Sequence, residues 1–143
     1  MSSQPIVVEQ LFSVQPNVVW QAVTKPELMR RWYFAPIEDF RAEVGFETEF
    51  DIETGGRVFR HEWRVTGVVP GESITYEWRY RGFPGLGSTE WKLFGTRDGT
   101  RLRLLCSGIE SFPQDIPEFS VESCTAGWQY FIQQRLTDFL NQF

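Results

Sequence analysis

Few residues in this chain could carry out acid–base or covalent chemistry. Among its 143 residues, His61 is the only histidine, and Cys106 and Cys124 are the only cysteines. A histidine exchanges protons near neutral pH, and a cysteine thiolate is a nucleophile and a metal ligand. The sequence contains no HExxH or CxxC spacing and no nucleophile-elbow motif. We therefore expect no metal, no cofactor and no covalent catalysis, and we assign no catalytic residue.

His61 lies in a segment where apolar and charged residues alternate. Phe59 and Trp63 share its face, while Arg60 and Glu62 take the opposite one. Such alternation places His61 on the apolar inner face of a strand. There it can hydrogen-bond a bound molecule or titrate on binding, but a lone histidine on an apolar face is more commonly a core residue with its hydrogen bonds satisfied. We favour the core interpretation and keep ligand contact as the alternative.

Aromatic residues are abundant and recur on the predicted inner faces. The chain has six Trp, thirteen Phe and four Tyr residues, which make up 16% of the sequence. Rings of this size either fill a thick core or line a pocket, and buried Trp and Tyr need hydrogen-bond partners that a ligand or water can supply. Core packing alone is the alternative that composition leaves open. The predicted pocket lining consists of Trp32, Phe59, His61, Trp63, Tyr76, Trp78, Trp91, Cys106, Phe119, Cys124, Trp128 and Phe131.

Alternation predicts about six strands, joined mainly by short turns. They cover residues 5–14, 41–52, 59–65, 74–80, 89–93 and 102–106, with turns at Gly55-Gly56, Pro70-Gly71 and Asp98-Gly99. Two short helices are predicted to begin at Pro16 and Pro26. Residues 111–120 have no clean period and are predicted to be a loop that covers one end of the sheet. Apolar residues at helical spacing predict one long helix, with a buried stripe from Val121 to Phe143.

These elements predict an α+β fold. A six-stranded antiparallel sheet with one aromatic face needs a cover, and the C-terminal helix is the only long amphipathic element that can supply it. The twist of the sheet curls it around this helix, and the two short helices close the open end. We expect a single domain over residues 1–143, with a cavity between the curved sheet and the helix.

Charge and hydropathy argue against several classes of function. The formal net charge of −5 opposes binding to the phosphates of nucleic acids or to anionic lipid surfaces. No apolar run approaches the roughly 18 residues of a membrane span, and the first five residues have no signal-peptide pattern. We expect a cytoplasmic protein with no nucleic-acid partner and no membrane span.

The order of the predicted elements resembles the helix-grip fold of the SRPBCC superfamily, which includes START-like lipid-transfer domains, Bet v 1-like proteins and polyketide cyclases. More specific patterns resemble the bacterial activator of heat-shock protein 90 ATPase homologue family. These patterns are Trp20-x-Ala22-x-Thr24-x-Pro26-Glu27-Leu28-x-x-x-Trp32, then Gly99-Thr100-x-Leu102-x-Leu104, and finally Gly127-Trp128 before Leu136 and Leu140. Many relatives carry a histidine in the strand after the Gly-Thr turn. This chain has Leu105-Cys106-Ser107-Gly108 there, so no role follows from that histidine.

The resemblance and the aromatic inner face support three hypotheses. The leading one is binding or carriage of an apolar or aromatic small molecule, lipids included, without chemistry. The second is a polyketide-cyclase-like enzyme that uses the same pocket, with His61 or a buried carboxylate moving protons. The third is a stress-response or chaperone-associated interaction module, which requires an exposed apolar patch. Formation of a homodimer is left open.

Overall fold

Six strands form one antiparallel sheet in the computed structural model, which describes residues 4–143. The strands are β1 (Ile6–Phe12), β2 (Glu47–Thr54), β3 (Arg57–Val69), β4 (Ser73–Tyr80), β5 (Gly87–Thr96) and β6 (Gly99–Ser107). Their order across the sheet is β1-β6-β5-β4-β3-β2, so every neighbouring pair except β1 and β6 is also consecutive along the chain. The expectation that no signal peptide is present rests partly on residues 1–3, which lie outside the described residues.

In residues 4–143, helices lie between β1 and β2 and after β6, where two short 3₁₀ helices (Ile109–Ser111 and Pro117–Phe119) precede the C-terminal helix. The first two are α1 (Pro16–Thr24) and α2 (Pro26–Trp32). Each begins with a proline, whose fixed φ suits the first helical turn and whose missing N–H is not needed there. The C-terminal helix consists of α3 (Val121–Gln129), a π-helical segment (Tyr130–Leu136) and α4 (Thr137–Leu140). The predicted helix-grip α+β fold is confirmed.

Alternation along the strands separates an inner, buried face from an outer one. In β4, Tyr76 and Trp78 are buried, and the residues on either side of each are more exposed. The register places Trp63 of β3 opposite Trp78 and places His61 opposite Tyr80. The C-terminal helix contributes Trp128, Ile132, Leu136, Phe139 and Leu140 to the same core. Burial of each such side chain stabilises the fold by roughly 1.5–3 kcal/mol, so the sheet and this helix are held together mainly by these contacts.

The outer face of the sheet carries ion pairs. The Arg60 guanidinium lies 2.8 Å from the Glu49 carboxylate on the neighbouring strand, and Arg81 lies 2.7 Å from Glu49 and 2.8 Å from Glu62. The hydrogen bond from Arg60 and the charge of Arg81 hold the pKa of the Glu49 carboxyl below its ordinary value. Because these side chains are in contact with solvent, the pairs contribute little to stability. These ion pairs mark the solvent-exposed face of the sheet.

Two strands are shorter than the sequence predicts. The strand predicted from residue 41 begins only at Glu47, because Gly45 has a left-handed φ of 93° and turns the chain. The N–H of Phe46 donates to the carbonyl of Glu43 over 3.0 Å and closes this turn. The first strand, predicted over residues 5–14, spans Ile6–Phe12.

The apolar stripe predicted along the C-terminal helix is buried only in its middle. Val121 and Phe143, at its two ends, are 42% and 67% exposed, so their predicted burial is wrong. Val121 is the first residue of α3 and Phe143 lies beyond α4, so both are outside the turns that supply the core. At the start of α4, Thr137 Oγ1 donates to the carbonyl of Ile132 in the π-helical segment, five residues back, over 3.0 Å. None of the helices in residues 4–143 combines the length and apolarity needed to cross a membrane.

Candidate functional site

An apolar cavity of about 120 Å³ lies between the inner face of the sheet and the C-terminal helix. Strands β3 to β6 supply one side of its wall, and the C-terminal helix supplies the other. The wall residues are Phe34, His61, Trp78, Tyr80, Gly87, Cys106, Ile109, Cys124, Gly127, Trp128 and Phe131. Nearly all of the accessible wall is apolar, which is the property of a site that selects apolar molecules.

The residues predicted to line a pocket divide into two groups of equal size. His61, Trp78, Cys106, Cys124, Trp128 and Phe131 lie in the cavity wall. Trp32, Phe59, Trp63, Tyr76, Trp91 and Phe119 are packed in the core outside that wall. The cavity therefore occupies only one part of the aromatic inner face.

Several of the aromatic residues outside the wall have hydrogen-bond partners of their own. Trp32 donates its indole N–H to the carbonyl of Ala22 over 2.8 Å, which joins α2 to α1. Trp91 donates to the Tyr76 hydroxyl over 3.0 Å, and the Tyr76 and Tyr33 hydroxyls share a hydrogen bond of 3.1 Å. Burial raises the pKa of both tyrosine hydroxyls, so both remain protonated. These groups form a supporting polar network in the core.

The segment from 111 to 120, predicted as a covering loop, packs behind the wall at the β3–β4 end. Phe119 stacks on Tyr80 with ring centroids 4.4 Å apart, and its ring lies 5.0 Å from that of Phe59. Gln114 Nε2 donates to the carbonyls of Ile109, Phe112 and Phe119 over 2.9, 3.0 and 3.0 Å. One amide side chain thus fixes the shape of the segment that supports Tyr80.

Sequence reasoning missed five residues of the wall. They are Phe34, Tyr80, Gly87, Ile109 and Gly127. Tyr80 lies two residues after Trp78 in β4 and therefore on the same face, so the strand period could have identified it. Phe34 and Ile109 follow the ends of α2 and β6, where no period applies, and the two glycines have no side chain to give a signal.

His61 is a neutral, hydrogen-bonded side chain of the wall. Its Nδ1 lies 3.1 Å from the carbonyl oxygen of Phe59, so Nδ1 carries the proton and donates it. The ring stacks on that of Phe50, with centroids 5.2 Å apart and planes inclined by 20°. Because the side chain is 5% exposed, burial lowers the pKa of His61 to about 4. At pH 7 the ring is neutral, and Nε2 is a hydrogen-bond acceptor.

The two cysteines meet at the same cavity as protonated thiols. Cys106 comes from β6 and Cys124 from α3. Burial raises the pKa of both thiols, that of Cys124 to about 12. Thr89 Oγ1 donates a weak hydrogen bond to Cys106 Sγ over 3.9 Å. Protonated thiols are poor nucleophiles, and no three His, Cys, Asp or Glu side chains within residues 4–143 could together hold a metal ion.

Two buried indole N–H groups have no hydrogen-bond partner in the part of the chain that the structure describes. They belong to Trp63 and Trp78. Trp78 is a wall residue, and its ring centroid lies 5.3 Å from that of His61. An unpaired buried donor costs about 1–3 kcal/mol. A polar group placed beside Trp78 would therefore be stabilised there.

A family model described as Activator of Hsp90 ATPase homolog 1-like protein matches residues 13–141. The match runs from the start of α1 past the end of α4 and includes every residue of the cavity wall. The protein belongs to this family. The resemblance inferred from the sequence motifs is thereby confirmed.

Several solved structures share the fold of this chain. CV1439 from Chromobacterium violaceum is 26% identical, with a TM-score of 0.77, and the match covers 96% of both chains. MLL2253 from Mesorhizobium loti is 25% identical, with a TM-score of 0.73, over 97% of this chain and 98% of that one. DynU16, from the dynemicin biosynthetic locus, is 24% identical, with a TM-score of 0.77, over 97% of this chain and 48% of that one, and it shows the fold alone. No significant match was found among curated proteins.

Gly127 keeps the cavity open on its helical side. Gly127 lies within α3, and a Cβ built on it would have no atom within 4 Å. Glycine inside a helix costs about 1 kcal/mol relative to alanine. The helix therefore gives up stability at a position where a side chain would extend into open space. No charged side chain of residues 4–143 lines the cavity, so an ionic ligand would find no opposite charge there.

Proposed function

We propose that this protein binds or carries one neutral, apolar molecule about the size of a single aromatic ring, held between the sheet and the C-terminal helix without chemical change. The observation that carries the proposal is the apolar cavity of about 120 Å³. Apolar protein cavities of roughly 150 Å³ hold benzene, whereas sites for drug-sized ligands measure roughly 300–1,000 Å³. The volume therefore favours a single ring over a lipid chain.

The cavity is partly open to solvent, so a molecule that enters it displaces water from an apolar wall. A molecule that fills the space restores the dispersion contacts of the wall. Binding to the folded state alone also stabilises that state by mass action. Occupation of the cavity should therefore be visible as a rise in Tm.

The titratable side chains of the wall support binding in preference to catalysis. His61 is neutral at pH 7, and burial raises the pKa of the Tyr80 hydroxyl as it does those of the two thiols. Within residues 4–143, no carboxylate lines the cavity, so the buried carboxylate considered above as a proton carrier has no counterpart at this site. A carrier needs shape and apolar surface, which the wall supplies.

Titration with toluene, followed by tryptophan fluorescence and by Tm, tests this proposal. Trp78 and Trp128 lie in the wall, so we expect saturable quenching at one site together with a rise in Tm. Native mass spectrometry of the purified protein would reveal a ligand that remains bound through purification.

A matched pair of variants locates the site. Gly127→Leu should extend a side chain into the cavity and abolish the quenching, because no atom occupies the space next to Gly127. Ala126→Leu adds the same side chain at the neighbouring, exposed position of α3 and should bind toluene as the wild type does. A wild-type protein that binds neither toluene nor other single-ring hydrocarbons in both assays would contradict the proposal.

A further inference from the structure

We infer that the molecule bound in the cavity carries a hydroxyl group on its ring and that this hydroxyl donates a hydrogen bond to Nε2 of His61. The inference rests on the proposed function and narrows the ligand to neutral compounds of the phenol type. It makes His61 the residue that determines specificity among molecules of similar size.

Nε2 of His61 is an acceptor because the other ring nitrogen, Nδ1, carries the proton. A carbonyl oxygen can only accept, so the 3.1 Å contact with Phe59 requires the proton to be on Nδ1. In a neutral imidazole the remaining nitrogen has a free lone pair. The structure of residues 4–143 gives His61 a hydrogen bond at Nδ1 only. Nε2 is therefore free to accept a hydrogen bond from a ligand hydroxyl.

Packing prevents the ring of His61 from turning away from this position. Its face stacks on Phe50, and the edge of its ring lies against Tyr80 with centroids 4.9 Å apart and planes inclined by 80°. Phe34 approaches from the C-terminal end of α2, at 5.4 Å between centroids. The side chain is 5% exposed, so a ligand in the cavity reaches Nε2 by displacing the little water that can contact it.

Trp78 offers a second contact to the same hydroxyl group. Among residues 4–143 its buried indole N–H has no partner with hydrogen-bond geometry, although the Tyr80 hydroxyl lies near it, and its ring centroid lies 5.3 Å from that of His61. Two hydrogen bonds of about 2.9 Å that meet at one hydroxyl oxygen near the tetrahedral angle span roughly 4.7 Å between their outer atoms. A hydroxyl donates one hydrogen bond and accepts others, so its hydrogen can meet Nε2 of His61 while its oxygen accepts from Trp78. The two unpartnered groups have complementary roles.

The rest of the wall requires the ligand to be neutral. No Lys, Arg, Asp or Glu of the described residues lines the cavity, so a carboxylate or an ammonium group would lose its hydration without gaining a counter-ion. A phenol is uncharged at neutral pH. One hydroxyl on an otherwise apolar ring suits a mainly apolar wall in which His61 and Trp78 supply adjacent polar groups.

Calorimetric titration with phenol and toluene tests the inference, because the two molecules have nearly the same shape and differ in the hydroxyl. We would measure the ratio of the toluene Kd to the phenol Kd in the wild type and in His61→Phe, which has no acceptor. Loss of one hydrogen bond should lower this ratio about tenfold. His61→Gln, whose side-chain carbonyl can accept a hydrogen bond, should restore part of the ratio.

A second measurement needs no substitution and so does not depend on the folding of a variant. The chain has a single histidine, so the ¹⁵N NMR signals of its side chain belong to His61 without assignment. We expect the Nε2 signal to shift when phenol is added and to move far less with toluene.

The outcomes separate the two proposals. Equal Nε2 shifts with both compounds, or a Kd ratio that is the same in His61→Phe and in the wild type, would overturn the hydroxyl inference while toluene binding leaves the proposed function standing. Failure of the wild type to bind either compound would overturn both.

Discussion

Trp63 and Trp78 lie directly opposite each other on β3 and β4, with ring centroids 5.0 Å apart, and neither indole N–H has a hydrogen-bond partner within residues 4–143. Of the two, Trp78 alone lines the cavity. The ring of Trp63 packs behind it, with centroids 4.8 Å from that of Phe50 and 4.7 Å from that of Tyr76. This pair therefore marks the boundary between the cavity wall and the core that supports it.

Trp63→Phe should destabilise the protein less than Trp91→Phe. Both tryptophans are almost fully buried, so the two substitutions remove a similar apolar area. Trp63→Phe removes an unpaired donor, whereas Trp91→Phe removes the donor that bonds the Tyr76 hydroxyl over 3.0 Å. We expect the loss in the free energy of unfolding to be about 1–2 kcal/mol larger for Trp91→Phe, as measured by urea denaturation. Equal losses would mean that the Trp63 N–H has a partner in solution, such as a buried water molecule.

Acid should destabilise the protein through His61. The pKa of this side chain is lowered from 6.5 to about 4 by burial in the folded state. Between these two values the unfolded chain binds a proton that the folded chain does not, so the free energy of unfolding falls as the pH decreases. The stability is fully present above pH 6.5 and is lost progressively until the pH reaches about 4. The complete loss from this one group is about 3 kcal/mol.

Urea denaturation of the wild type and of His61→Phe, above pH 6.5 and again near pH 4, isolates this contribution. Both proteins keep the same carboxyl groups, including Asp51, whose charge acts on His61. The acid-induced loss should therefore be smaller in His61→Phe by the contribution of the histidine. The same loss in both proteins would contradict the burial of a neutral His61.

Gly127→Ala should stabilise the protein by about 0.5–1 kcal/mol, because alanine has the higher helix propensity and the new methyl group meets no atom within 4 Å. It should also weaken toluene binding, since the methyl group occupies part of the cavity. Gly108→Ala is the contrasting control. Gly108 has a φ of 82°, and a Cβ there would overlap the carbonyl oxygen of Leu86, so we expect a clear loss of Tm. A destabilised Gly127→Ala would show that the space beside α3 is filled in solution.

Much of the fold could be predicted because it depends on local periods. The alternation that places His61 and Trp78 on one face is a property of each strand alone, and the register then brings those strands together. Residues 41–46 show where this fails. Ala42, Val44 and Phe46 alternate like a strand, but the turn at Gly45 excludes these residues from the sheet.

The position of the cavity on the inner face could not be predicted in the same way. Tyr76 and Trp78 are both buried aromatic residues of β4 with the same alternation. Tyr33 and Trp91 occupy the space beside Tyr76 and hydrogen-bond its hydroxyl. Trp78 instead borders the open cavity. That difference depends on side chains that are distant in sequence, so no local pattern contains it.

The residue pattern alone predicts the sheet, the inward faces of its strands, the long helix that covers it and a histidine among aromatic rings. Packing sets three properties that no local pattern contains: His61 is uncharged at pH 7, the open volume is about 120 Å³, and this volume lies beside Gly127. The direction of a side chain follows from the backbone period, whereas burial and empty volume follow from how closely separate elements approach. A glycine on the helix and an unfilled gap against β3 to β6 became a site only when the two surfaces were packed together.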